Sequence, residues 1–250
     1  MRELDKVLQK MHEGVEYSFL TEFLDEPSKR IRSRLAILYL KSANKEINDD
    51  ICNILASGEL IHNASLLHDD VIDDAESRRG KTPIAKTISP KISILAGDYL
   101  TSLAISKVLK LNNQKILDIF QNCTTRMCEA EFKQYFMRGQ IPSEEDYIDI
   151  SKGKTGALFS AILKSCAIIA GMDINNAQKL GETYGLYFQI KNDLDEKSVM
   201  EDKQNEIYTA NSVLGIEKTL SLLDNLKEEM RNLLGVFPES SYRQELEGLL

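Results

Sequence analysis

The chain is poor in residues that form covalent or metal cross-links. It has four cysteines in 250 residues, and none of them has the Cys-x-x-Cys or Cys/His spacing of a zinc site. Their spacing also does not form the framework of a small disulfide-rich domain, so a reducing compartment is the simpler interpretation. We therefore expect a cytoplasmic protein.

Positive charge is in the minority. Lysine and arginine number 31 against 39 aspartates and glutamates, which gives a net charge of −8. An acidic chain has no global electrostatic reason to bind a nucleic-acid backbone, so we expect no nucleic acid among its partners. An anionic ligand must instead meet a local cluster of lysine and arginine, or a bridging cation.

Long apolar runs are equally scarce. The first residues, MRELDKVLQKMHEG, are charged throughout and do not resemble a secretory signal. No apolar run approaches the roughly 20 residues that a bilayer-spanning helix needs, so we expect that the chain is not an integral membrane protein. Hydrophobic residues still make up 42% of the sequence, which is enough for a sizeable core and excludes a disordered chain.

Proline occurs at only five positions, and helical periodicity fills the spans between them. Apolar and small residues from Ile51 to His68 recur at intervals of three and four, and this helix face runs on to Ile72. The same periodicity covers 91–110, 112–138, 155–171, 173–200 and 212–235. No segment alternates like a strand, and turn-like breaks, including one at 151–153, leave about nine or ten helices. The sequence thus predicts an all-α fold, a single-domain helix bundle over residues 1–250 around a central cavity.

A cluster of aspartates ends the first of these helices. Asp69 and Asp73 are four residues apart, so they share a helix face about 6 Å apart along the axis, and Asp70 lies beside them. Bare carboxylates this close repel one another, and oxygen-only ligands select a hard cation such as Mg²⁺, which shares phosphate oxygens. The alternative is a solvated acidic helix end, although aspartates at a helix C-terminus oppose the helix dipole.

Three basic groups lie elsewhere in the chain. Arg78 and Arg79 follow the aspartates directly, and guanidinium groups bind phosphate oxygens in pairs. Lys29 and Arg32 are three residues apart on one face beside a predicted helix start, which favours an anion. A glycine-flanked lysine and threonine within 152–156 could offer an ammonium and a hydroxyl. Each group alone could be a solvated surface charge, but together with the carboxylates they predict a site for two diphosphates bridged by metal.

A second acidic cluster lies near the end of another apolar helix. It contains Asn192, Asp193, Asp195 and Glu196. Two acidic helix ends that face each other across a bundle would clamp a cluster of metal ions and diphosphate. We therefore expect the neighbourhoods of Asp69 and Asp193 to lie close together.

Taken together, these motifs resemble those of the trans-isoprenyl diphosphate synthases, the head-to-tail prenyltransferases, in particular the medium- and long-chain polyprenyl type. The resemblance covers roughly residues 25–210. The segment ELIHNASLLHDDVID at 59–73, followed by Arg-Arg-Gly at 78–80, looks like the first aspartate-rich motif of that family with its flanks. The resemblance implies an isoprenoid-synthase-like helix bundle that works as a homodimer.

By this resemblance, both acidic clusters bind metal. The implied ligands are Asp69, Asp70, Asp73, Asp193 and Glu196. They would hold Mg²⁺, as three ions when substrate is bound, against the allylic diphosphate.

The basic residues take diphosphate-binding roles in the same way. Arg78 would contact the allylic diphosphate. Four other residues would bind the diphosphate of isopentenyl diphosphate, namely Lys29, Arg32, His62 and Arg79. His62 lies seven residues, or two helical turns, before Asp69, which puts both on one face.

Three further residues match catalytic positions of the family. Lys154 and Thr155 match its lysine–threonine pair, and Gln189 matches the glutamine that follows phenylalanine in the second motif. They are candidates for stabilising the carbocation with hydroxyl and carbonyl dipoles, besides their contacts with phosphate. The stretch 131–134 resembles the family's Gly-Glu-x-x-Gln helix, although Ala130 replaces the glycine.

The chain also departs from the family's pattern. The second motif is normally DDxxD, whereas Asn192, Asp193 and Glu196 stand at those positions here. Asparagine is neutral and a weaker magnesium ligand than a carboxylate. The usual Gly-Lys segment is missing from 197–208, and the C-terminal region is shorter than is usual.

The implied reaction joins two substrates without a protein nucleophile. An allylic diphosphate such as farnesyl diphosphate ionises to an allylic cation and pyrophosphate, C4 of isopentenyl diphosphate attacks, and a proton is lost. Pyrophosphate itself is the expected base.

Product length should depend on what closes the pocket below the first aspartate. Ala64 and Ser65 lie one turn away and are small, whereas bulky aromatic residues near these positions stop growth in short-chain members, so a longer product is expected. On the facing helix, we expect Met127 or Phe120, together with Phe132, to form the floor; ordinary core packing is the alternative.

Two other functions remain open at this point. A class I terpene cyclase also pairs an aspartate-rich helix with a second metal motif, but it needs no basic site for a second substrate. A weakly active or non-catalytic subunit is the other alternative, because of the altered second motif.

Overall fold

The structure is a computed structural model that describes residues 2–77, 80–195 and 207–250. Within these ranges the chain is helical, with no β-strand beyond an isolated bridge at Lys81, so the all-α prediction is confirmed. The helices are α1 (Arg2–His12), α2 (Ser18–Leu24), α3 (Ile31–Ser42), α4 (Asp49–Ile72), α5 (Ile84–Thr87), α6 (Pro90–Leu109), α7 (Gln114–Phe136), α8 (Glu144–Ser151), α9 (Ala157–Ala170), α10 (Ile174–Asn192), α11 (Ala210–Leu214), α12 (Ile216–Leu234) and α13 (Ser241–Glu247). A π-helical turn, Lys152–Gly156, joins α8 to α9.

The contacts between residues divide the chain into two compact units. The first unit runs through Ile37 and resumes over Ile47–Leu117, and the second comprises Leu38–Glu46 and Asp118–Leu250. Two of the three boundaries fall inside α3 and α7, and the third lies directly before Ile47, in the segment between α3 and α4. The expectation of a single domain over residues 1–250 stays a prediction.

In the first unit, α4 packs against α1, α5 and α6. It begins after Asn48, whose side chain accepts a hydrogen bond from the Ile51 N–H at 2.9 Å, and all residues over 54–61 are buried. The buried hydroxyl of Ser93 on α6 donates to the carbonyl oxygen of Leu67 at 2.8 Å. A helix that is apolar on all sides is buried in a core. The aspartates follow this buried stretch, at the end of α4 that reaches the surface.

In the second unit, α9 and α10 pack closely because glycines lie at their contact. A Cβ added at Gly181 would lie 2.5 Å from the Cα of Ser160. A Cβ added at Gly185 would come even closer to the Cα of Gly156, in the π-helical turn. Only glycine permits this approach, which sets the last turns of α10 against the turn that carries the predicted lysine–threonine pair.

Several predicted helix boundaries were wrong. The break expected at 151–153 does not exist, because the chain passes from α8 through the π-helical turn into α9. The helix expected over 173–200 ends at Asn192. The helix expected over 212–235 is interrupted at Gly215, where φ is +77°. The expected number of helices also left out short elements such as α5, which packing rather than periodicity creates.

Two helical stretches among the described residues are long and apolar enough to cross a membrane, by length and composition alone. The first is Pro90–Leu109, where 39% of an apolar stretch of 18 residues is buried. The second is Glu144–Ala170, where 67% of such a stretch is buried. Core helices of soluble proteins pass the same test, so this is weak evidence for a membrane span. The statement that no segment approaches such a length was nevertheless too strict, and the absence of an integral membrane segment stays a prediction.

The glycine contact predicts a cost for a single added methyl group. Gly185→Ala should lower the free energy of unfolding by about 1–3 kcal/mol, because the backbone of Gly156 cannot move aside as a side chain can. Ser221→Ala on the exposed face of α12 is the control, with an expected change under about 0.5 kcal/mol. Chemical denaturation measures both values, and wild-type stability of Gly185→Ala would contradict the close packing.

Candidate active site

Two of the three predicted metal ligands at the acidic end of α4 are partly exposed. Asp69 and Asp70 lie in the last turn, and Asp73 is the C-cap residue, whose N–H donates to the Asp69 carbonyl oxygen at 2.8 Å. Asp69 and Asp73 are partly exposed, whereas Asp70 is only 1% exposed. Asp69 and Asp73 are therefore the two carboxylates of this cluster that a ligand from solvent could reach.

These oxygen donors fit magnesium when a ligand completes its coordination. Among the described residues, no three His, Cys, Asp or Glu side chains come close enough to hold an ion by themselves. Mg²⁺ is usually bound through one or two carboxylates, with waters and substrate phosphates in the remaining positions. Asp69 and Asp73 suit that arrangement, so an ion at this end of α4 would come together with a diphosphate.

Asp70 lines a cavity of about 270 Å³ inside the first unit, beside α2 and α5. The charged side chains around it include Glu22, Glu26 and Lys81, and the Lys81 ammonium pairs with Glu26 at 3.0 Å. This carboxylate is thus turned inward, and its metal-binding role stays a prediction.

Three predicted site residues lie further back along α4. His62 is half-buried, and its carbonyl oxygen accepts the hydroxyl of Ser65 at 2.9 Å. Ala64 is buried and Ser65 is half-buried. The two chain-length positions thus carry small side chains within about one turn of Asp69, and their effect on product length stays a prediction.

The basic segment before α3 has a strained backbone. Because α3 begins at Ile31, the expected helix start is confirmed, but Lys29 precedes the helix and does not share a helix face with Arg32. Arg30 between them has a φ of +42°, a value that residues other than glycine rarely adopt. Its guanidinium Nη2 donates to the Leu24 carbonyl oxygen at 3.2 Å. Strain of this kind persists only where surrounding contacts fix the backbone, and it clusters at ligand sites.

A buried glutamate, whose role the sequence did not predict, holds the first turn of α3. Glu59 is 3% exposed, and its Oε1 accepts both the N–H and the hydroxyl of Ser33, at 3.1 and 2.7 Å. Glu59 lies three residues before His62, so one helix carries the histidine and also fixes the start of the basic segment's helix. The available signal was a lone acid inside the apolar stretch of α4.

In the second unit, the lysine–threonine pair lies in the π-helical turn Lys152–Gly156. A single π-turn inserts one extra residue into a helix and is frequent at functional sites. The ammonium of Lys154 contacts the carboxylate of Glu131 and donates to Oε1 of Gln134, both on α7. The lysine is therefore held in place by the stretch that resembles the Gly-Glu-x-x-Gln helix.

The residues predicted to form the pocket floor lie on α7. Phe120 is fully buried and Met127 is half-buried, whereas Phe132 is 63% exposed and so is not part of a buried floor. Ala130 packs against Gly153, where an added Cβ would lie 2.5 Å from the alanine Cβ. The alanine that replaces the family's glycine is accommodated because its neighbour has no side chain.

A chain of hydrogen bonds runs from the π-helical turn to the end of α10. Thr155 donates its hydroxyl to Oε1 of Gln189 at 2.8 Å, and Nε2 of Gln189 donates to Oδ1 of Asp193 at 2.8 Å. Oδ2 of Asp193 accepts the Tyr147 hydroxyl at 2.7 Å and the Ala210 N–H at 2.9 Å. The structure thus brings Thr155 and Gln189 together and puts Asp193 at the centre of a network.

The carboxyl group of Asp193 is buried and bound by hydrogen-bond donors of the protein. It is 3% exposed, and burial raises its pKa, an effect that the hydrogen bonds from Tyr147, Ala210 and Gln189 oppose. Asn192 is half-buried as the last residue of α10. The sequence carried no signal for Tyr147, because it is 46 residues from its partner Asp193.

Some predicted site residues lie outside the part of the chain that the structure describes. Arg78, Arg79 and Glu196 lie outside the described residues, so their roles stay predictions. Asp69 belongs to the first unit and Asp193 to the second, and their expected proximity also stays a prediction.

Comparison with known proteins identifies the family. The profile described as polyprenyl synthetase matches residues 15–231. The chain belongs to this family. Among its relatives, the decaprenyl-diphosphate synthase of Dictyostelium discoideum is 32% identical over 180 residues, which are 71% of this chain and 39% of that enzyme. The chain thus spans well under half the length of that relative.

Solved structures share the fold of this chain. An isoprenoid synthase family member from Thermotoga neapolitana matches with a TM-score of 0.86 and 27% identity, covering 100% of this chain and 97% of that one. A polyprenyl synthase from Caulobacter crescentus, complexed with calcium and isoprenyl diphosphate, matches with a TM-score of 0.80 and 22% identity, covering 99% and 91%. The expected isoprenoid-synthase-like fold is therefore confirmed.

The hydrogen bonds between Glu59 and Ser33 predict that two buried serines of α3 contribute differently to the free energy of unfolding. Ser33→Ala should lower the free energy of unfolding by about 1–3 kcal/mol, because a buried carboxylate loses a donor. Ser42→Ala in the same helix should cost under about 1 kcal/mol, because its hydroxyl donates to the Leu38 carbonyl within its own helix. Urea unfolding of both variants measures the difference, and equal losses would argue against an anchoring role for Glu59.

Proposed function

We propose that the chain elongates trans-prenyl chains by transferring the prenyl group of an allylic diphosphate, such as farnesyl diphosphate, to isopentenyl diphosphate, with release of pyrophosphate and a proton. The observation that carries this proposal is the first acidic end. Asp69 and Asp73 end α4, and the same unit holds His62 and the basic segment 29–32. Membership of the polyprenyl synthetase family supports chain elongation over a terpene cyclase.

Mg²⁺ is the proposed cofactor, as three ions when substrate is bound. The complex of the Caulobacter neighbour with calcium and isoprenyl diphosphate supports a divalent ion beside the diphosphate. In this chain Asp69 and Asp73 would hold the metal, with Asp70 and Glu196 as further proposed ligands. When bound, Mg²⁺ supplies positive charge against the oxygens of the leaving diphosphate.

The first unit's basic residues would bind and orient the substrates. Lys29, Arg32 and His62 would hold the diphosphate of isopentenyl diphosphate, with Arg79 as a further proposed contact. Arg78 would hold the allylic diphosphate. Fixing two reactants in one geometry removes much of the entropy cost of their reaction, which is the main service these side chains provide.

The second unit's polar residues would stabilise charge as the bonds change. The C–O bond of the allylic substrate breaks and leaves an allylic cation and pyrophosphate. The double bond of isopentenyl diphosphate then attacks through C4, and pyrophosphate accepts the proton that is lost. Lys154 would balance diphosphate charge, while the oxygen dipoles of Thr155 and Gln189 would face the cation.

Further features follow from the same proposal. The small side chains of Ala64 and Ser65 support a longer prenyl product, with Met127 or Phe120 as the proposed floor. We also expect a homodimer in the cytoplasm that binds no nucleic acid and is not an integral membrane protein.

One observation favours a second candidate, a weakly active or non-catalytic subunit. Asn192 carries a neutral amide where the family has an aspartate, and it is a weaker magnesium ligand. The neighbouring Asp193 is 3% exposed, so its own carboxylate contributes little charge to the surface at the second acidic end.

A single incubation tests the proposal. The purified chain with Mg²⁺, farnesyl diphosphate and radiolabelled isopentenyl diphosphate should form longer prenyl diphosphates, and removal of the metal by a chelator should abolish them. Chromatography of the products measures chain length. Cyclic hydrocarbons formed without isopentenyl diphosphate would indicate a terpene cyclase, and no turnover by the chain alone would favour the subunit.

The exposed aspartates of α4 predict a contrast between neighbouring carboxylates. Asp69→Asn should lower kcat by about 100-fold or more, because charge facing the leaving diphosphate is lost, while helical circular dichroism stays near wild type. Asp74→Asn is the control, because Asp74 is exposed and pairs with Lys86 at 2.7 Å. Turnover assays compare the two, and unchanged turnover of Asp69→Asn would refute the metal assignment.

A further inference from the structure

We propose that Asp193 is a positioning residue that works with Tyr147 to orient Gln189 and Thr155, and that it does not bind magnesium. The inference rests on the proposed function, and it assigns new roles to two residues of the second unit.

The Asp193 carboxylate has little capacity left for a metal ion. Each oxygen of an ionised carboxylate has two lone pairs. Both lone pairs of Oδ2 are used, by the Tyr147 hydroxyl and the Ala210 N–H, and one of Oδ1 is used by Gln189. Asp193 is also 3% exposed. Mg²⁺ dehydrates reluctantly and keeps several waters, so a buried oxygen with one remaining lone pair is a poor ligand for it.

The hydrogen bonds from Asp193 to Thr155 run in a defined direction. The Gln189 amide turns its NH₂ group toward Asp193, because its Nε2 donates to Oδ1 at 2.8 Å. The amide oxygen then faces Thr155 and accepts its hydroxyl proton. As a result, the Thr155 oxygen has its proton committed and presents its lone pairs to the rest of its surroundings. A hydroxyl fixed in this way offers the negative end of its dipole, which suits a developing cation.

Tyr147 fixes the orientation of the carboxylate itself. It is 5% exposed on α8, whose start is capped by the Ser143 hydroxyl. Its hydroxyl ties α8 to the end of α10, and the Ala210 N–H approaches the same carboxylate oxygen. With both donors on Oδ2, the carboxylate cannot rotate without breaking a bond, so Oδ1 stays directed at Gln189. These hydrogen bonds form a relay that runs from Tyr147 through Asp193 and Gln189 to Thr155.

Two variants separate a positioning role from metal binding. Tyr147→Phe removes one donor and leaves every carboxylate in place, and Asp193→Asn removes the charge. Tyr39→Phe and Asp224→Asn are matched controls: the Tyr39 hydroxyl donates to Asn176 at 3.2 Å outside the relay, and Asp224 is exposed on α12. For each protein we would measure kcat, both KM values, and the affinity for Mg²⁺ in the presence of inorganic pyrophosphate by calorimetry.

A positioning role predicts one pattern. Tyr147→Phe and Asp193→Asn should each lower kcat by about 10-fold or more, because Thr155 and Gln189 lose the orientation that the carboxylate fixes. Their affinity for Mg²⁺ with pyrophosphate should stay within about twofold of wild type, because neither change removes a ligand. Thr155→Ser should keep most of the activity that Thr155→Val loses, since the serine retains the hydroxyl.

Other results would overturn the proposal. Asp193 would be a magnesium ligand if Asp193→Asn weakened Mg²⁺ affinity by about 10-fold while Tyr147→Phe matched wild type. Wild-type kcat in Tyr147→Phe would also exclude the relay. If the wild-type chain shows no turnover, the proposed function fails, but the calorimetry still decides whether Asp193 binds metal, so the two failures remain distinct.

Discussion

Carboxylates gathered at the C-terminal end of an apolar helix repel one another and oppose the helix dipole, so something must balance their charge. Such carboxylates occur at the end of α4 and at the end of α10, and their charge is balanced in a different way at each end. Asp69 and Asp73 are partly exposed, which suits a cation delivered with a diphosphate. Asp193 is buried and is balanced by hydrogen-bond donors of the protein.

The donors around Asp193 reach it because backbones pack closely in the second unit. Glycine at position 185 lets α10 lie against the π-helical turn, and glycine at 153 leaves room for Ala130 of α7. Close backbones bring the side chains of Thr155 and Gln189 within hydrogen-bonding distance. Larger residues at these glycines would separate the elements, so small side chains outside the candidate site determine the geometry within it.

The sequence predicts those features that depend on neighbours along one helix. Periodicity located α4 and α6, and the acidic motif marked the end of α4 because its residues follow one another in the chain. The π-helical turn was predicted as a break, because its two glycines signal a turn unless neighbouring helices cover them. Glu59 with Ser33 and Tyr147 with Asp193 are 26 and 46 residues apart, and no periodic pattern reports such pairs.

The asparagine at position 192 is easier to understand if the two acidic ends have different tasks. A pair of equivalent metal sites would lose charge at Asn192 and would need Asp193 to compensate, yet Asp193 is buried and bound by three donors. In the assignment proposed here, α4 supplies the exposed carboxylates, and the residues around the end of α10 supply oriented dipoles from Thr155 and Gln189. A neutral Asn192 would weaken a metal site, because a metal ion needs negative charge. It does not weaken a hydrogen-bond network in the same way, because the network depends on the direction of its hydrogen bonds and not on net charge.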